Sequence, residues 1–111
     1  MTLNDRPYEM MLSGAKTIEI RLFDDKRQKV AVGDSIVFVK TSKQDEAISA
    51  GVVELHNYSS FGDLLDAFPS ADFGFGRFSK EQILEEINQI YDKEREQRLG
   101  VLGIRILVIP E

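Results

Sequence analysis

The stretch "GAKTIEIRLFDDKRQKVAVGD", residues 14–34, decides how the rest of the chain is read. Within it Thr17, Glu19 and Arg21 alternate with Ile18, Ile20 and Leu22, the period-two pattern of a strand with one apolar face. The same stretch gathers Lys16, Arg21, Lys26, Arg27 and Lys29, although the whole protein carries a formal net charge of −5. Either these cations solvate a strand and its turn, or they rim a site for something anionic.

Working outward, residues 24–29 form a polar loop, and Val30 and Val32 lead to the turn signal Gly33-Asp34. "SIVFVK" (35–40) is then a strand, "TSKQDE" (41–46) a polar loop, and "AISAGVVELHNY" (47–58) another strand with Gly51 as its expected bulge. Upstream, Tyr8, Met11 and Leu12 place a helical stripe on residues 6–13, with Pro7 in the first turn and Gly14 at the end. Downstream, Phe61, Leu64, Leu65 and Phe68 make a second stripe, closed by Pro69. Ser79 and Gln82 fit a capping box, with Phe78 and Ile83 as a hydrophobic staple. They open a helix predicted over 79–98, with Ile83, Leu84, Ile87, Ile90 and Tyr91 as its apolar face and Glu81, Glu85, Glu86, Lys93 and Glu94 outside. "GVLGIRILVIP" (100–110) reads as a closing strand. With no repeat or linker, the 111 residues are expected to form one domain, 1–111, of α+β class, its sheet curled into a small barrel.

Composition removes several function classes. There are no cysteines, which excludes disulfides, thiolate metal sites and cysteine nucleophiles, and the single histidine, His56, excludes a multi-histidine metal centre. No cofactor or metal is expected. No apolar run approaches the ~20 residues of a membrane span, and no signal-peptide core opens the sequence, so the expected location is the cytoplasm. Residues 1–43 hold eight Lys/Arg against six Asp/Glu, whereas residues 44–111 hold six against thirteen. An acidic whole with a basic first part argues against tight attachment to a long polyanion and favours a small, confined anionic partner.

The order of these signals resembles the activating signal cointegrator homology (ASCH) domain, a branch of the PUA-like superfamily. The likeness rests on "GAKTIEIR" followed at a distance by "VGD", and on the terminal "GVLGI" strand. The resemblance implies a small PUA-like open β-barrel flanked by helices. It further implies a cleft lined by Lys16, Glu19 and Arg21 that takes RNA or a nucleotide-like ligand; Lys26, Arg27 and Lys29 are expected on the polar loop beside it, either steering phosphate or solvating the turn. The residue types suit such a ligand. Lysine is a mobile point charge for a phosphate, arginine a planar fork that grips phosphate or a base edge, and a carboxylate between them fixes the arginine's rotamer. The competing explanation is a surface ion pair worth about 0–1 kcal/mol.

One bacterial branch of the family removes the acetyl group from acetylcytidine, and that likeness implies a catalytic lysine, threonine and glutamate. Lys16 matches the lysine, but Glu19 stands where the threonine belongs and "FGFGR" (73–77) where the glutamate belongs. The chain is therefore expected to bind RNA or a nucleotide without catalysis, an amidohydrolase using Lys16 and Glu19 being the alternative. Phe73, Phe75 and Phe78 are expected to anchor a loop to the core rather than to stack on a base, and His56 to be a packing or rim residue.

Overall fold

A computed structural model describes residues 1–110. Among them are five strands and four α-helices: β1 (Thr2–Leu3), α1 (Asp5–Leu12), β2 (Ile18–Leu22), β3 (Ser35–Lys40), β4 (Lys43–Tyr58), α2 (Phe61–Ala67), α3 (Lys80–Ile90), α4 (Lys93–Leu99) and β5 (Val101–Val108). The strands form one sheet in the order β1-β3-β4-β5-β2, antiparallel except for the β1–β3 pair. The sheet curls into a half-barrel, so this is the expected α+β open barrel.

The sheet separates two apolar clusters. Leu102, Ile104 and Ile106 of β5, Phe38 of β3 and Ile48, Ala50 and Val52 of β4 pack on the concave side with Leu3 and with Tyr8 and Met11 of α1. Ile18, Ile20 and Leu22 of β2 and Val101 of β5 meet Phe61, Leu64 and Leu65 of α2 and Ile83 and Ile87 of α3 on the other side. Close approach of α2 requires Gly103 in β5, because a Cβ there would stand 2.9 Å from Leu64 Cδ1.

Several local expectations are corrected. The 41–46 segment is not a loop: β4 begins at Lys43 and runs to Tyr58, tightly turned back on β3. Its first residues pair only with β3, where polar side chains remain solvated. The bulge falls between Val52 and Glu54, not at Gly51, which stays in register opposite Leu107. The helix predicted over 79–98 is two helices. Tyr91 leaves the helical conformation, and Asp92 caps α4 through a bond from the Glu94 amide. Ile90, assigned to the buried stripe, is 69% exposed.

The capping box at Ser79 is present in both directions, Ser79 Oγ accepting from the Gln82 amide at 3.2 Å and Gln82 Oε1 from the Ser79 amide at 2.9 Å. Since this cap fixes the start of α3, Ser79→Ala is expected to lower unfolding free energy by about 1 kcal/mol, read as a lower urea midpoint at unchanged slope.

Candidate functional site

β2 is buried on both sides, and its period of two gives the sides different chemistry. Ile18, Ile20 and Leu22 enter the helix-covered core, while Glu19 and Arg21 share the concave side with their β5 partners Ile104 and Leu102. Lys16, just before the strand, turns into the same region, and its backbone N–H is held by the Met10 carbonyl of α1. Lys16 and Glu19 are the buried charged residues among those described, each 5% exposed. The surface ion pair considered above is therefore not what forms.

The Glu19 carboxylate organises the group. Oε1 accepts from the Ile20 amide at 3.1 Å and lies 3.3 Å from Lys16 Nζ. Oε2 accepts from Arg21 Nε at 3.1 Å and from Nη2 at 2.7 Å. Lys16 Nζ also donates to the Phe73 carbonyl at 3.1 Å, and Arg21 Nη2 to the Thr2 carbonyl at 2.7 Å, which ties β2 to β1 across the mouth of the half-barrel. Burial alone would push the Glu19 carboxyl up, but Lys16 and Arg21 outweigh it and hold the group below its ordinary 4.5. Burial likewise works against the Arg21 cation, and Glu19 overcomes it, leaving the guanidinium more firmly protonated than usual. The trio carries one net positive charge. Arg21 Nη1 makes no hydrogen bond to a described residue, and the Lys16 ammonium has a third proton beyond its two partners.

These residues floor a cleft of about 490 Å³. Thr2, Leu3 and Asn4 form one side, Arg6, Pro7 and Met10 of α1 another, Gly74 and Phe75 a third, and Glu86, Ile87, Ile90 and Tyr91 the last. Gly74 has φ +83°, and a Cβ there would press on Lys16 Cβ at 3.2 Å, so glycine lets the loop lie over the lysine stem. Tyr91 stacks on Phe61 at 5.3 Å, and its hydroxyl points to the Ile20 carbonyl at 3.4 Å; burial raises its pKa.

The cationic stretch that opens the sequence thus divides. Lys16 and Arg21 meet at Glu19. Arg27 sits in a 3-10 turn, paired with Asp24 at 3.1 Å, and neither it nor Lys26 borders the cleft. Both lie near enough to the Met1 amino group to help burial lower its pKa. Thr17 does not join Glu19 and Arg21: its hydroxyl accepts from Arg105 Nη1 at 3.3 Å, in a network on the other side of the sheet with Glu54 and Asp72. His56 belongs to that network through Glu54 at 2.9 Å and packs edge-on to Phe68. Phe73 is a buried anchor as expected, whereas Phe75 is half-buried and borders the cleft. Sequence reasoning did not commit Tyr91, Arg6 or Glu86 to the cleft. Tyr91 carried a signal, the Asp92 cap that starts α4 immediately after it.

A five-stranded half-barrel sheet with four helices defines an α+β domain, and the comparisons name its family. The ASCH domain profile matches residues 1–110, and the protein belongs to the ASCH domain family. No curated protein matches it. The crystal structure of hypothetical protein PH0355 is similar, at 31% identity and TM-score 0.85 over 98% of this chain and 96% of that one. The solution structure of PF0455 from Pyrococcus furiosus shares 25% identity at TM-score 0.74 over the full length of both chains. Among the described residues, no helix is long and apolar enough to cross a membrane.

Two consequences of the buried trio are measurable. Glu19→Ala leaves two buried cations facing each other and is expected to cost about 3–5 kcal/mol in urea unfolding. Because the folded-state pKa of Glu19 is lowered, its contribution to stability is complete above 4.5 and is lost as pH falls through the folded value. Stability should therefore decline as pH falls below about 4.5, and Glu19→Gln should flatten that decline.

Proposed function

We propose that the protein binds RNA or a nucleotide-like ligand in the cleft floored by Lys16, Glu19 and Arg21, and does not transform it. The observation that carries this proposal is the buried cation–carboxylate–cation trio. Its spare hydrogen-bonding capacity consists of donors and its net charge is positive, so the complementary ligand group is an anionic acceptor such as a phosphate. The walls add a partly exposed aromatic ring at Phe75, the Tyr91 ring and the aliphatic side chain of Ile90, surfaces suited to a ribose or a base. A volume of about 490 Å³ lies within the usual range for small-ligand sites and suits one nucleotide unit. The overall charge of −5 agrees with a confined contact rather than attachment along a polyanion.

Glu19 serves this site as a positioning group. It clamps Arg21 through two donors and anchors Lys16, and a carboxylate so engaged and so strongly ionised is a poor general base. With Thr17 committed to Arg105, no observation favours the amidohydrolase alternative. Lys26 and Arg27 are then outside the contact, Lys26 adding long-range attraction only.

Calorimetric titration with mononucleotides and short single-stranded RNAs tests the proposal. Lys16→Gln and Arg21→Ala should each weaken binding about tenfold, equivalent to ~1.4 kcal/mol, and Arg21→Lys should recover little because the planar fork is lost. Absence of binding by the intact protein across the panel would end the proposal. Incubation with acetylcytidine should release no cytidine; turnover that disappears in Lys16→Gln would replace binding by hydrolysis.

A further inference from the structure

Beside the main cleft lies a second hollow of about 200 Å³, lined by Arg6, Met10, Gly74, Phe75, Arg77 and Phe78 together with Gly76. The first four of these also border the main cleft, so the two spaces adjoin across a shared rim. Its chemistry differs from that of the trio. No acidic residue lines it, and neither the Arg6 nor the Arg77 guanidinium forms an ion pair or hydrogen bond with a described residue. The Arg6 guanidinium instead lies over the Phe78 ring, 5.1 Å from its centroid, and Phe75 meets Phe78 edge-to-face at 6.5 Å.

The hollow is held in shape by its own backbone. Gly74 and Gly76 take φ of +83° and +56°. The Phe75 amide donates to Ser70 O, the Ser70 hydroxyl to Gly76 O, and the Phe78 amide to Phe75 O. The capping box of α3 begins at the next residue, Ser79. Two half-buried rings and two unpaired guanidinium groups are therefore presented together at one end of the cleft.

Resting on the reading that the cleft takes a nucleotide, we propose that this hollow is the subsite for the neighbouring nucleotide of the same strand, so that the ligand is an oligonucleotide of at least two residues rather than a free mononucleotide. The base would stack on the Phe75–Phe78 pair, which is tolerant of base identity because every base has a π-face. Arg6, on the shared rim, faces the linking phosphate, and Arg77 supplies charge on the far side. Cations without a carboxylate partner, set beside aromatic rings, complement a phosphodiester with its base and not an apolar peptide.

The test compares the affinities of phosphorylated mononucleotides (pA and pU) with those of their dinucleotides (pApA and pUpU). The intact protein should bind the dinucleotides at least tenfold more tightly. Arg77→Ala should bring the ratio of the two affinities close to one, and Arg77→Lys should restore part of it; Phe78→Leu, which keeps an apolar group against the core, should reduce the ratio in the same way. A wild-type ratio near one, or a ratio unmoved by Arg77→Ala, overturns the subsite while leaving the cleft proposal standing. Binding of neither mononucleotide nor dinucleotide overturns both.

Discussion

A carboxylate removed from water has to be matched donor for donor, and the whole open side of this protein is arranged around meeting that requirement at Glu19. Four protein donors converge on two oxygens, from Lys16, Ile20 and twice from Arg21. Desolvating three charges together is costly, and their mutual attraction offsets it only with good geometry. That geometry draws in distant parts of the chain: the lysine needs the Phe73 carbonyl and a glycine at 74, and the arginine needs the Thr2 carbonyl. The trio is at once the floor of the cleft and the clasp between the two edges of the half-barrel.

The clasp is possible because β2 divides two environments. Its isoleucines and Leu22 complete the helix-covered core, which fixes the strand rigidly, and the residues between them are thereby aimed into the cleft without freedom to turn away. Rigid aim is what a recognition site needs, since donors already in place spend little entropy on their ligand. The helices contribute walls: α1, with Arg6, and the end of α3, with Glu86, stand on either side, and the break at Tyr91 lets a ring, instead of a further helical turn, complete the wall.

Much of this was legible in the sequence where the signal is local. The alternation over residues 18–22, the turn at Gly33-Asp34 and the capping box at Ser79 depend on neighbours a few positions away, and each falls where the pattern places it, Thr17 alone departing from the expected face. The convergence of Lys16, Glu19 and Arg21 came from resemblance, because side-chain burial depends on partners such as Phe73 and Thr2 that no spacing reveals. The misread elements have the same origin. Lys43–Glu46 looked like a loop because a strand paired on a solvated surface needs no apolar pattern. β1, two residues long, is too short to carry a period at all. Ile90 followed the helical stripe yet faces the open cleft, where periodicity cannot tell a core from a hollow.

The order of the sheet also governs when the protein can become competent during its manufacture. β2 is synthesised before β3 and β4, but its hydrogen-bonded neighbour in the sheet is β5, which follows them both. Until β5 emerges, the nascent chain carries a strand with nowhere to dock and a glutamate still solvated beside its cations. Assembly of the cleft is thus coupled to synthesis of β5: a product interrupted before that strand could fold its β3–β4 hairpin, yet would present no assembled cleft.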